Sequence, residues 1–185
     1  VKKLGILGAG MMGAGIAYVS AQAGIEVVLL DTSQGHAEKG KAYSGGLLKK
    51  AIERGHSTEK QAAALLGLIM PTTNYHDLAG CDLVIEAVFE SVQIKADVTA
   101  KTEAVVPERC IFASNTSALP ITDLARASRN PERFLGLHYF SPVEQMPLVE
   151  IIRGAATDDR TLARALDFSR RTKKTPIVVN DGYGF

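Results

Sequence analysis

Leu4-Gly5-Ile6-Leu7-Gly8-Ala9-Gly10-Met11-Met12-Gly13 is the stretch that decides the fold. An apolar, strand-length run leads straight into glycines spaced G-x-G-x-x-G, and a segment rich in small residues follows. Glycines at this spacing occur in many turns, so the flanks matter. A second apolar run, residues 27–30, ends at Asp31, eighteen positions after Gly13. Strand, glycine turn, helix and acid-terminated strand together are the context of a dinucleotide-binding turn. Gly8 permits the tight turn, Gly10 lets a pyrophosphate approach the backbone, and Gly13 lets helix and strand pack closely. The first helical N–H groups and the helix dipole favour the anion. Gly13, Ala17 and Ala21 fall at i, i+4 and i+8, a stripe poor in side chains that suits contact with a sheet. Asp31 can accept hydrogen bonds from a ribose diol, and its charge repels a 2′-phosphate. The expected cofactor is NAD rather than NADP.

Lys2 and Lys3, an apolar stretch and Ala21-Gln22-Ala23 also imitate a secretory signal with its cleavage site. Five glycines between Gly5 and Gly15, followed by an acid-terminated strand, have no place in such a signal. No run approaches the ~20 apolar residues that span a bilayer. At 185 residues the chain fits one domain with a substantial core. Lys+Arg 21 against Asp+Glu 20 leaves a net charge of +1, which offers no electrostatic footprint for nucleic acid or an anionic membrane. Cys81 and Cys110 lack metal or redox spacing and border apolar runs, where free cysteine serves as a small hydrophobe. The four histidines form no ligand cluster. A reducing cytoplasm and no structural metal are expected. Val1 stands directly before the first strand, and the sequence stops in the loop-like Asp181-Gly182-Tyr183-Gly184-Phe185. A domain cut from a longer polypeptide is expected.

The apolar runs at residues 27–30, 83–85, 111–113 and 177–179 are continuous rather than alternating. Strands covered on both faces, as in parallel sheets, read that way. Ser33 can cap a helix running to about Arg54, weakened by Gly40, Gly45 and Gly46 at about 1 kcal/mol each. Thr58 and Gln61 have capping-box spacing for a short helix ending near Gly67. Further helices are expected from about Val92 to Ala104, and from Thr157-Asp158-Asp159 to the basic end Arg170, Arg171, Lys173 and Lys174. Residues 148–152 read as a late strand. The predicted fold is a doubly wound α/β domain of Rossmann type, with a mainly parallel sheet and extra strands near the C-terminus.

Ligands of such sheets sit beyond the carboxyl ends of the strands. Three polar clusters occupy those places. They are Glu86-Ala87-Val88-Phe89-Glu90 with Lys95 five positions on, Ser114-Asn115-Thr116-Ser117, and His138-Tyr139-Phe140-Ser141-Pro142. Oxidising an alcohol needs a base for the hydroxyl proton, and imidazole titrates in the right range. Glu150, twelve residues after His138, can orient the ring and stabilise the imidazolium as a triad carboxylate does. The plainer reading is a strand-end histidine satisfied by a backbone carbonyl, with Glu150 exposed. Ser117 can donate to a substrate oxygen, and it also fits ordinary turn chemistry. Lys49, Lys50 and Arg54 fit phosphate contacts of a large substrate or a solvated helix face.

Taken in order, residues 8–16, 86–95, 112–119 (F-A-S-N-T-S-A-L) and 136–152 (G-L-H-Y-F-S-P-V-E-Q-M-P-L-V-E-I-I) carry a resemblance. The whole chain resembles the NAD-binding domain of L-3-hydroxyacyl-CoA dehydrogenase. The resemblance implies oxidation of an L-3-hydroxyacyl-CoA to the 3-ketoacyl-CoA in fatty-acid β-oxidation. It makes His138 the general base, Glu150 its carboxylate partner and Ser117 a contact of the substrate hydroxyl. It places Gly8, Gly10, Met12, Gly13, Asp31, Val88, Phe89, Glu90, Lys95 and Ser117 around NAD. Ser141 replaces the Asn of the H-F-F-N-P form, so a cofactor contact through that amide is not carried over. The H-Y-F-S-P form resembles the multifunctional alpha subunit, which implies an enoyl-CoA hydratase domain in the same chain and a thiolase subunit as partner. Family members follow a Gly-Phe pair like Gly184-Phe185 with a substrate-contacting Asn and an all-helical domain. Both are expected to be missing here.

Overall fold

The computed structural model describes residues 1–184; Phe185, half of the Gly-Phe pair named above, lies outside the described residues. Eight strands form one sheet: β1 (Lys3–Leu7), β2 (Glu26–Leu30), β3 (Ile69–Thr72), β4 (Leu83–Glu86), β5 (Ile111–Ser114), β6 (Phe134–Tyr139), β7 (Leu148–Arg153) and β8 (Thr175–Asn180). Their spatial order is β3-β2-β1-β4-β5-β6-β7-β8. The first six pair in parallel, β6 meets β7 antiparallel, and β7 pairs with β8 in parallel. The helices are α1 (Met11–Gln22), α2 (Gln34–Glu53), α3 (Glu59–Leu66), α4 (Val92–Glu103), α5 (Ile121–Leu124) and α6 (Asp159–Arg171). This is the doubly wound, Rossmann-type α/β fold expected.

Burial on both faces explains the unbroken apolar runs. Leu4, Ile6, Val27, Leu29, Leu83 and Ile85 pack on the side that holds α1 and α6. Leu7, Val28, Leu30, Val84 and Phe112 pack on the other, with Val98 of α4 and Leu124 of α5. Each fully buried aliphatic side chain contributes about 1.5–3 kcal/mol relative to exposure. The strand order reverses between β1 and β4. The loops that leave those two strands diverge and open a crevice at their carboxyl ends.

Four local features depart from the sequence expectations. β3 carries Pro71 in the middle of four residues and shows no strand pattern. Among the described residues it is an edge strand paired only with β2, where a missing N–H is tolerated. α2 runs unbroken through Gly40, Gly45 and Gly46. Gly40 is required by packing, since a Cβ there would lie 2.8 Å from the Ala9 Cβ and 2.9 Å from its carbonyl oxygen. Nothing in the structure explains Gly45 and Gly46. α6 is capped by Asp158, which accepts the Thr161 N–H at 2.7 Å. Thr157 instead donates its hydroxyl to the Phe134 carbonyl at 2.6 Å. Finally, β8 is an edge strand, and Ile177 and Val178 are exposed rather than covered.

Both cysteines are buried, and burial pushes each thiol up to about 12, as suits small hydrophobes. Among the described residues no helix is long and apolar enough to cross a membrane.

Candidate active site

β1 ends at Leu7, and Gly8 turns the chain with φ 95°, in the left-handed region that favours glycine. Its N–H donates to the Leu30 carbonyl at 2.8 Å, tying the turn to the end of β2. A Cβ on Gly8 would sit 2.6 Å from the Ala87 carbonyl oxygen, and one on Gly13 only 1.7 Å from the Gly8 carbonyl oxygen. Gly10 differs. A Cβ there meets nothing within 4 Å, so this glycine clears space that the protein itself does not fill. Gly10 caps α1 without a side-chain bond, and no acid stands in the first turn. The first helical N–H groups are left for an anion. Asp31 accepts the Ala9 N–H at 2.8 Å and the Thr32 N–H at 2.6 Å, which fixes its carboxylate beside the turn. The cleared space and the anchored acid fit a dinucleotide.

Gly10→Ala should leave Tm unchanged and weaken NAD binding about tenfold or more, roughly 1.4 kcal/mol. Unchanged affinity would place the pyrophosphate elsewhere. The chain should also prefer NAD to NADP by a few kcal/mol at most, since solvent screens part of the repulsion from Asp31. Titrating both cofactors against the protein and against Asp31→Ala checks it. Equal affinities in the unsubstituted protein would remove Asp31 from this role.

His138 on β6 lies directly opposite Glu150 on β7 in the antiparallel register, so both side chains leave the same face. Nδ1 of His138 is 2.9 Å from Oε1 of Glu150. Both side chains are largely covered, at 17% and 16% exposure. The Phe140 ring meets the imidazole edge-on at 4.7 Å between centroids. The alternative with Glu150 merely exposed does not match this geometry. A carboxylate only accepts, so the proton sits on Nδ1 and the basic lone pair on Nε2.

Beside His138 lies an open cleft of about 370 Å³. Met12 of α1 enters it from the glycine turn, and Ala87, Val88 and Glu90 come from the loop after β4. Asn115 and Ser117 follow β5, and residues 138–141 complete the wall. Met12, Val88, Glu90, Ser117 and His138 are therefore brought together, with Glu150 behind His138. Phe89 is 82% exposed and does not line the cleft. Lys95 is 3% exposed and lies beneath it, with Nζ on both Glu86 oxygens at 2.9 and 2.8 Å. Burial acts to raise the Glu90 carboxyl. The Thr116 hydroxyl, Lys95 and the Ala118 and Ser117 N–H groups outweigh it and hold the group below its ordinary range.

The sequence profile of the 3-hydroxyacyl-CoA dehydrogenase NAD binding domain matches residues 3–182. This chain belongs to that family. Its cofactor is NAD. Over its full length it resembles a solved (S)-3-hydroxybutyryl-CoA dehydrogenase of Ralstonia eutropha, with 40% identity and a TM-score of 0.97 over 65% of that chain. A 3-hydroxybutyryl-CoA dehydrogenase of Escherichia coli is 34% identical, with a TM-score of 0.96 over the whole of this chain and 39% of that one. The dehydrogenase part of multifunctional enzyme 1 from C. elegans is 29% identical, with a TM-score of 0.85 over 97% of this chain and 41% of that one. The chain thus spans less than two thirds of these relatives' lengths.

Within this NAD-binding domain, Ser141 lines the cleft, its Oγ 3.6 Å from Met11 Sδ. Lys49, Lys50 and Arg54 are exposed on or just after α2 and do not line the cleft. Two supports of the site carry no signal in the sequence. Asn115 accepts the Tyr139 N–H at 2.9 Å and ties the ends of β5 and β6 together at the cleft. The loop of residues 141–146 is clamped by Tyr43, which donates to Glu144 at 2.6 Å, and by Lys174, which donates to the Val143 carbonyl and to the Met146 carbonyl at 2.7 Å. Neither pairing has a local signal, because each joins distant parts of the chain.

Proposed function

We propose that the full-length protein oxidises an L-3-hydroxyacyl-CoA to the 3-ketoacyl-CoA, reversibly and with NAD, as a step of fatty-acid β-oxidation in the cytoplasm. The observation that carries the reading is the His138–Glu150 pair on the wall of a cleft that Met12 links to the glycine turn. His138 Nε2 takes the hydroxyl proton, and Glu150 steadies the imidazolium that forms. Ser117 positions the reacting oxygen. The glycine turn and Asp31 hold the adenosine half of the cofactor, with Val88 and Glu90 beside the nicotinamide. NAD, when bound, accepts the hydride from the carbinol carbon, so proton and hydride together account for the two hydrogens lost.

Exposed Met11, Phe89, Val92 and Ile94 supply apolar surface near the cleft, which supports a further, helical domain closing over it. The Gly184 N–H donates to the Ala118 carbonyl at 3.2 Å, which brings the end of the described chain back to the Ser117 segment. A multifunctional setting, with a hydratase domain in the same chain and a thiolase subunit as partner, has two supports: the H-Y-F-S-P form and the C. elegans relative. Residues 1–185 alone should bind NAD in a calorimeter yet turn over 3-hydroxyacyl-CoA very poorly. Catalysis by orientation needs reacting atoms held at ~3–3.5 Å, and half a site does not hold a flexible thioester there. Near-full activity of that segment would show the substrate site to be misplaced.

The function is tested by NADH formation from 3-hydroxybutyryl-CoA and from free 3-hydroxybutyrate with the full-length protein. The thioester should be turned over and the free acid should be a far poorer substrate. Equal turnover of the free acid would assign a hydroxy-acid dehydrogenase, and no turnover of either would leave an NAD-binding module.

A further inference from the structure

Glu86, at the end of β4, is 1% exposed, yet neither it nor its partners Lys95 and Ser114 line the cleft. Its two oxygens collect donors from three directions. Lys95 Nζ reaches both, Ser114 Oγ donates to Oε1, and the Val88 N–H donates to Oε2 at 3.2 Å. The network continues on both sides. Ser114 Oγ accepts the Thr116 N–H at 3.2 Å. Lys95 Nζ also contacts the Val88 carbonyl at 3.4 Å and lies 3.7 Å from Glu90 Oε2. Glu90 Oε1 in turn accepts from the Thr116 hydroxyl and from the Ser117 N–H at 3.2 Å. Glu86, with Glu90 beside it, therefore ties together the two neighbouring segments, 87–90 and 114–117, that contribute to the cleft wall.

A buried ion pair is a poor means of gaining stability, because desolvation consumes most of the attraction. Here burial pushes the Glu86 carboxyl above its ordinary range, while Lys95, Ser114 and Val88 pull it down. What the pair does supply is geometry: every donor around Glu86 leads to backbone or side chain at the cleft wall. The Lys95 ammonium is spent on this network.

We propose that Glu86 is a positioning residue for the nicotinamide half of the cofactor site, acting through Lys95, Ser114 and Glu90 on Val88 and Ser117. The proposal rests on the placement of the nicotinamide beside His138. The adenosine half is held elsewhere, by the glycine turn and Asp31, so the two halves are separable. Glu86→Gln keeps the shape of the side chain but replaces one acceptor by an NH2 donor. Both oxygens now face donors, so either orientation of the amide opposes one donor to another and releases a wall segment.

The test titrates NADH and ADP-ribose against the full-length protein and Glu86→Gln, with thermal denaturation in parallel. NADH affinity should fall about tenfold while ADP-ribose affinity stays within about twofold. Ser114→Ala, which removes one hydroxyl from the same carboxylate, should show the same selectivity at about threefold, and it decides the question if Glu86→Gln does not fold. Adding Lys95→Gln to Glu86→Gln should cause little further loss, since both act along one path. Equal loss for the two ligands, or no loss for either, overturns the proposal. Because no turnover is measured, a failure of the dehydrogenase reading would show separately as absent NADH formation from hydroxyacyl-CoA.

Discussion

His138→Ala in the full-length protein is expected to lower kcat for 3-hydroxyacyl-CoA by about 10²- to 10⁴-fold, the range of general acid–base catalysis, with NADH affinity nearly unchanged. The 2.9 Å contact to Glu150 makes the two residues one unit. Glu150→Gln should therefore also reduce turnover heavily, because an amide neither fixes the Nδ1 proton as firmly nor stabilises an imidazolium. The double variant should be little worse than His138→Ala, since losses within a unit do not multiply. Steady-state kinetics of the four proteins, with NADH titrations beside them, check both parts. Independent, multiplying losses would separate Glu150 from His138.

Gly13→Ala should be the most damaging single methyl in the molecule. A Cβ 1.7 Å from the Gly8 carbonyl oxygen cannot be accommodated by a side-chain adjustment, because the obstacle is backbone. The turn must open or α1 must withdraw from β1. Overpacking of this kind costs at least ~1–3 kcal/mol. For a domain of this size that is roughly 2–12 °C in Tm, with the upper end expected here. NAD binding should fall with it, since the same carbonyl shapes the pyrophosphate turn. Gly10→Ala is the control, predicted to lose affinity at unchanged Tm. A Gly13→Ala protein as stable as the parent would show that the turn is not held as described.

The first strand, glycine turn and Asp31 were legible because their signals are local. Each is an apolar run, a spacing or a charge within about thirty residues of sequence, and each reports a backbone demand that few other residues satisfy. The His138–Glu150 pair was legible as a candidate, but its geometry depended on the β6–β7 register, which fixes two residues twelve positions apart opposite each other. The position of β3 is not legible in the sequence, because an edge strand need not exclude proline or carry a pattern. Gly40 read as a helix weakness because the partner that requires it, Ala9, lies thirty-one positions away. The Glu86 network was visible only as a cluster of polar residues after two strands. Burial turned Lys95 from a cofactor-facing group into a tie beneath the floor. The run at residues 177–179 looked doubly covered, yet among the described residues β8 pairs only with β7.

The most direct test of the central claim follows the hydrogen atom itself. The full-length protein would be mixed with NAD and (S)-3-hydroxybutyryl-CoA carrying deuterium on the carbinol carbon, and the reduced cofactor analysed by mass spectrometry. The account predicts deuterium in NADH from the unsubstituted protein, with the label appearing far more slowly from His138→Ala at equal cofactor occupancy. NADH free of deuterium, or labelling at the same rate without His138, would contradict it.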